Sequence, residues 1–214
     1  MAGGLHPPSY AVSGGDRDND GIYASDGDKD EYETIYQVNT MHNIAPQYQS
    51  WFNGSGGEWF ALERWIQDKL VNKHGVEAWV YAGTIFLDRE PKKIGPKRDI
   101  GIPPFFYQMV IFQQPSPNNQ ENKEIIILPF LFPHEREFEM DISLNDRNQQ
   151  RKPKPDIRDL LVSVHTLQVL TGRNFFPDFP SDLQEQIEYK SGARHSPVID
   201  TLSKVCPHYS SFLA

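Results

Sequence analysis

Asn43, Asn53 and Glu63 lie in one short stretch of this chain. It reads Asn39-Thr40-Met41-His42-Asn43-Ile44-Ala45-Pro46-Gln47, then Phe52-Asn53, then Gly57-Glu58-Trp59-Phe60-Ala61-Leu62-Glu63. Amide and carboxylate oxygens are the ligands that hard divalent cations take. Mg²⁺ keeps several waters and needs only one or two protein oxygens. A cation held in that way can stabilise the charge on the leaving oxygen of a phosphodiester. An ordinary capped helix with asparagines in its entry loop would show the same residue types, so the stretch has to be weighed with the elements around it.

The elements that must position these residues can be read from periodicity. Glu58–Lys73 is expected to be a helix, with Trp59, Leu62, Ile66 and Leu70 on one face at spacings of three and four. His74-Gly75 supplies its stop. Glu63 borders the apolar face, where a carboxylate could point into a cleft floor. Residues 1–30 read as loop with a short N-terminal strand remnant, Glu33–Val38 alternates as a strand does, and 44–57 reads as an irregular crossing loop. Strands are expected at 76–87, 104–113 and 124–130, with a polar hairpin loop from Pro115 to Asn122. Residues 145–155 read as a charged linker. Ile157–Leu170 reads as a helix stopped by Thr171-Gly172, and shorter helices are expected at 181–188 and 197–205. The order implies an α+β fold, an antiparallel sheet with helices packed on it.

The motif residues resemble those of the DNA/RNA non-specific endonucleases, the ββα-metal-finger nucleases. The family pattern N-x-x-P-Q, then Asn, then W-x-x-L-E stands here as Asn43-Ile44-Ala45-Pro46-Gln47, Asn53 and Trp59-Phe60-Ala61-Leu62-Glu63. Further matches occur in order. Val80-Tyr81-Ala82-Gly83-Thr84-Ile85-Phe86 resembles the family strand that ends in a glycine turn. Ile102–Val110 resembles its V-P-x-x-F/Y-K strand, with Gln108 where lysine is usual. Ile126-Ile127-Leu128-Pro129 resembles a later core strand, and Leu170–Asp178 resembles its T-G-x-x-F-F-P element. The resemblance implies a ββα-metal finger on a central antiparallel sheet with flanking helices. It implies DNA and RNA as substrates and Mg²⁺ as cofactor, which Mn²⁺ could replace. Asn53 would be the protein ligand of the metal, Glu63 would hold a metal-bound water, and Asn43 would support the site.

The chain departs from the family at its N terminus, where a D-R-G-H-L-x-P-like motif carries the general base. Here the sequence is Met1-Ala2-Gly3-Gly4-Leu5-His6-Pro7-Pro8. Aligning Leu5 and Pro7 puts Gly4 in the histidine position. His6 is the only histidine there, and a two-residue offset along a strand would move its ring by about 6–7 Å. A base has to lie within hydrogen-bond reach of its proton or one water away. Upstream strands of the family fold are expected to be missing, with residues 1–214 forming one nuclease-like domain. Two further departures concern the helix. Gln67 replaces the arginine expected one turn after Glu63, and Gly54-Ser55-Gly56-Gly57 lengthens the path from Asn53 to Glu63. That extra length could loosen the metal site.

Composition sets outer bounds. The hydrophobic content of 38% and aromatic content of 12% suit a globular core, and no run is long and apolar enough for a membrane span. Met1–Pro8 lacks the apolar region of a signal peptide. The single cysteine, Cys206, excludes an internal disulfide. A net charge of −8 argues against a large basic face, although local charge governs nucleic-acid contact. Basic residues gather at Arg89–Arg98 and Arg147–Arg158, where they could meet phosphates or line solvated loops. The acids gather at 16–33, and Asp16-Arg17-Asp18-Asn19-Asp20-Gly21 matches the start of a Ca²⁺ loop. Asp16, Asp18, Asp20 and Asp28 would be its carboxylates, with Asp28 in place of the usual bidentate glutamate. A disordered acidic loop is the competing reading.

Other residues read as structural. Trp65 and Trp79 are expected in the core or an interface rather than as base-stacking platforms. His165 is expected to be partly buried on its helix. His134-Glu135 has no ligand geometry of its own. Three functions are compatible with all of this: a Mg²⁺-dependent endonuclease, a degenerate relative with Gly4 in the base position, and a Ca²⁺-stabilised binding module.

Overall fold

A computed structural model describes residues 2–4, 44–48, 52–54, 56–87, 90–116, 119–134 and 156–190. The expected strand at Glu33–Val38, the linker at 145–155 and the helix at 197–205 lie outside the described residues.

The chain opens with a pair of short antiparallel strands, β1 (Ala2–Gly4) and β2 (Ile44–Pro46), in which Gly4 lies opposite Ile44. The sequence predicts a loop for residues 44–46; the ladder with β1 makes them a strand. Helix α1 (Glu58–Trp65) follows and continues with a wider π-type pitch over Ile66–Lys73. The bounds match those read from the sequence, and Trp59, Leu62, Ile66 and Leu70 are all buried. Gly75, at φ 62, ends the helix in the left-handed conformation that glycine tolerates. Two antiparallel strands and a helix in this order form the ββα unit.

The central sheet is antiparallel, in the order β3 (Ala78–Ile85), β6 (Phe105–Ser116), β7 (Asn119–Pro133). The last two strands run further than expected, well into the polar stretch read as a hairpin loop. Between β3 and β6 a small hairpin, β4 (Lys93–Ile94) and β5 (Ile100–Gly101), turns through Gly95 and Arg98, both at positive φ. It carries Lys92, Lys93, Lys97 and Arg98 into solvent. Gly83 is not in a turn. It lies inside β3 opposite Tyr107, and a Cβ there would come within 2.6 Å of the Tyr107 ring. The glycine is needed for close approach of that ring, not for chain reversal.

Alternation along β6 divides the core in two. Phe105, Tyr107 and Met109 join Val162, Val164, Leu167 and Leu170 on one face. Phe106, Val110 and Phe112 join Phe52, Trp59, Leu62, Ile66 and Leu70 on the other. The segment expected as one helix from Ile157 to Leu170 is split to serve both. A 3₁₀ turn at Ile157–Leu160 puts Leu160 in the α1-side core, and Leu161 pairs with Phe130 in an extended bridge. The Val162 N–H then donates to the Pro129 carbonyl, and helix α2 (Val164–Thr171) starts at Ser163, whose side chain caps Thr166 N at 3.0 Å. A continuous helix could not carry the chain around the sheet edge. Gly172, at φ 65, ends α2, and α3 (Ser181–Lys190) packs back on it with His165 stacked on Tyr189 at 5.0 Å. His165 is half-buried, as expected, and so is Trp65, whereas Trp79 is 47% exposed on edge strand β3, outside the core and on a face open to an interface.

The glycine-rich entry to α1 is tight. Gly57 N–H donates to the Gly54 carbonyl at 2.7 Å, and a Cβ on Gly57 would fall 1.8 Å from the Phe52 carbonyl oxygen. The extra residues therefore close onto the Phe52 backbone, and the described part of this loop is not loose. Gly57→Ala should destabilise the chain by about 2 kcal/mol or more through overpacking, lowering the melting midpoint by about 4–8 °C. An unchanged midpoint by calorimetry would refute this account of the loop.

Candidate functional site

Of the residues singled out in the sequence, Asn53 and Glu63 are described. His6, Asn43 and the acidic residues Asp16, Asp18, Asp20 and Asp28 lie outside the described residues. Among the described residues no three His, Cys, Asp or Glu side chains gather in a way that could hold a metal. Among the described residues, the donors on offer to a metal are amide oxygens and few charges.

Asn53 is half-buried in the turn before α1. Its backbone N–H donates to the Tyr48 carbonyl at 3.1 Å, as does that of Phe52 at 3.3 Å. Its side-chain Nδ2 donates to Gln47 Oε1 at 2.5 Å. The Asn53 amide nitrogen is thus occupied, and Oδ1 is left as a hard oxygen donor. The turn is tied to the helix through the neighbouring ring: Phe52 stacks on Trp59 at 5.5 Å, one turn before Glu63.

Glu63 is only 9% exposed. Burial pushes its carboxyl up to about 7, and the Trp59 indole pulls it back in part. Trp59 Nε1 nonetheless makes no hydrogen bond of good geometry among the described residues, so the indole is a weak partner for that carboxyl. Glu58 is raised to about 7 by burial as well, although it keeps partial access to solvent. Trp59 lies over Phe106 and Phe132 at 5.5 and 5.2 Å. Two residues beyond Phe106, on the same face of β6, stands Gln108. Gln108 is fully buried, and neither of its amide atoms has a partner. Buried Gln47 likewise leaves Nε2 without one. Arg64, beside Glu63, points away and pairs with Asp68 at 2.8 Å.

His134, expected from the sequence to be structural and without ligand geometry, is placed by the fold against the Asn53 turn. It is fully buried, one residue past β7. Its ring lies 4.5 Å from Phe52, 4.7 Å from Phe106 and 4.8 Å from Tyr48. Nε2 accepts the Tyr48 N–H at 3.0 Å, and Nδ1 lies 2.7 Å from the Pro103 carbonyl. The bare nitrogen must be Nε2, so Nδ1 carries the proton and donates. Burial holds the imidazole down to about 4, against a smaller opposing effect of the Pro103 carbonyl. The signal in the sequence was the alternation of β7: positions 126, 128, 130 and 132 pack toward α1, and 134 continues that face.

The sequence pattern of the DNA/RNA non-specific endonucleases matches residues 18–182. The chain belongs to this family. The matched span includes Asn43, Asn53 and Glu63 but begins after Gly4 and His6. No curated protein sequence matches this endonuclease-family chain. The solved structure of the EndoG/EndoGI complex is similar to it at 18% identity, over 71% of this chain and 54% of the other, with a TM-score of 0.45. The chain therefore spans about half the length of that relative. No helix among the described residues is long and apolar enough to cross a membrane.

Burial of Glu63 and of His134 acts on stability with opposite signs. The contribution of neutral His134 is fully present above its ordinary value of 6.5 and is lost as pH falls toward about 4. That of protonated Glu63 is present below 4.5 and is lost as pH rises through about 7. Each displacement corresponds to roughly 3 kcal/mol at 1.36 per pH unit. In metal-free urea titrations, Glu63→Gln should be more stable than the parent at pH 8 by up to about that amount and nearly equal to it below pH 4.5. His134→Phe should lose less stability than the parent between pH 6.5 and 4. Parallel pH profiles for parent and variants would refute both assignments.

Proposed function

We propose that this chain is a Mg²⁺-dependent endonuclease that hydrolyses phosphodiester bonds in DNA and RNA with little sequence preference. The observation that carries the reading is the Asn53–Gln47 bond, which leaves the Asn53 amide oxygen with no partner among the described residues, in the turn that leads into the helix of the buried Glu63 carboxyl. That donor set fits a hard cation that keeps most of its waters, and Mn²⁺ could take the same ligands. When bound, such an ion supplies charge stabilisation at the phosphate and the leaving oxygen. Asn53 would hold it through Oδ1, and Glu63 would hold a water by accepting its hydrogen bonds. Asn43 would steady the same loop. The attacking water gives its proton to a base as its oxygen bonds to phosphorus and the bridging oxygen departs. We read residues 1–214 as one domain carrying this site.

Plasmid and RNA digestion with Mg²⁺, with and without EDTA, tests the reading. Asn53→Ala should abolish metal-dependent cleavage, and Glu63→Ala should slow it by about 10–100-fold. Full activity in Asn53→Ala would sink the site assignment.

The base is the second element to test. Gly4 lies opposite Ile44, the residue after Asn43, and this register supports Gly4 as the position a histidine would occupy. A chain lacking that histidine should fold yet lose about 10²–10⁴-fold in rate. Gly4→His should then restore activity, added imidazole should rescue part of it, and His6→Ala should change little. If His6→Ala is the damaging change instead, His6 is the base.

A further inference from the structure

Tyr48 stands between His134 and Asn53. Its N–H is held by His134 Nε2 at 3.0 Å, and its carbonyl accepts the backbone N–H of Asn53 at 3.1 Å. The preceding residue, Gln47, accepts the Asn53 side-chain amide at 2.5 Å. The peptide that joins Gln47 to Tyr48 is therefore what His134 grips. His134 is itself anchored twice to the Pro103-Pro104 corner: Nδ1 lies 2.7 Å from the Pro103 carbonyl, and its backbone N–H donates to the Pro104 carbonyl at 2.8 Å. This corner leads directly into β6, the central strand of the sheet. A continuous chain of hydrogen bonds thus runs from the rigid sheet through an imidazole to a loop side chain.

We infer that His134 is a positioning residue, which sets the pose of Asn53 by clamping the Gln47–Tyr48 peptide to the sheet. Its consequence for metal affinity rests on the reading of Asn53 as a ligand, whereas the clamp itself does not. An aromatic hydrocarbon at this position would fill the same space among Phe52, Phe106 and Tyr48 but could neither accept nor donate. A glutamine side chain carries one acceptor and one donor group and could replace both ring nitrogens. A purely packing role would tolerate phenylalanine better than glutamine. A positioning role reverses that order.

The test compares the full chain with His134→Phe and His134→Gln by amide hydrogen exchange and by Mn²⁺ titration. In His134→Phe, protection of the Phe52 and Asn53 amides should fall at least about tenfold while β6 stays protected. Mn²⁺ affinity should weaken by about 10–100-fold in His134→Phe and stay within about threefold of the parent in His134→Gln. Unchanged exchange at Phe52 and Asn53 in a folded His134→Phe overturns the inference. If His134→Phe does not fold, the parent still decides: a Tyr48 amide that exchanges as fast as an exposed loop overturns it, and a slow one supports it. If Asn53→Ala binds Mn²⁺ as the parent does while the exchange effects appear, the metal reading fails and the clamp stands.

Discussion

Strand β6 is buried without interruption from Phe105 to Val110, on both of its faces. An antiparallel strand usually leaves one face to water, so a strand buried on both sides has to be covered twice. The remaining architecture answers that demand. Helix α1 covers the even-numbered face and α2 the odd-numbered one, and the chain between Leu160 and Val164 must pass from one core to the other around the edge of β7. The break in the helical segment, the extended bridge at Leu161 and the serine cap at Ser163 all arise from that passage.

The two layers differ in kind. In the α2 layer the buried polar side chains Ser163 and Thr166 satisfy each other. In the α1 layer the amide of Gln108, Trp59 Nε1 and Gln47 Nε2 have no partner among the described residues. Each such group disfavours the folded state by about 1–3 kcal/mol, and folded proteins contain few of them. Their concentration in one layer, beside the loop that holds Asn53, sets this face apart from the self-satisfied α2 layer and agrees with the site proposed there. The Gly57 contact serves the same face, because it lets the Asn53 turn press directly on the start of α1.

The histidines show how placement decides chemistry. Two of them stand out in the sequence by their neighbours: His6 in a degenerate motif and His134 beside an acid. Only the tertiary setting gives His134 its role. Removal from water makes it a neutral imidazole with one donor and one acceptor, which suits a clamp and not a base. Aromatic rings on three sides fix its plane, and two proline carbonyls fix its position.

The sequence by itself determined the family, the bounds of the α1 helix and the apolar faces, because these are local. A motif is a run of residue types, and a helix face is a period of three and four. It determined the glycine stops at Gly75 and Gly172 for the same reason, since a left-handed backbone needs glycine at one position only. Tertiary structure alone decided what depends on residues distant in the chain. Gly83 looked like a turn until Tyr107 lay across it, and Ile157–Leu170 looked like one helix until the sheet edge divided it. The Gly54–Gly57 stretch looked slack until the Phe52 carbonyl met Gly57. The link from Asn53 to the sheet passes through His134, whose ring meets Tyr48 86 residues away in sequence. No local pattern encodes such a contact, because it exists only once two separate apolar surfaces have been driven together out of water.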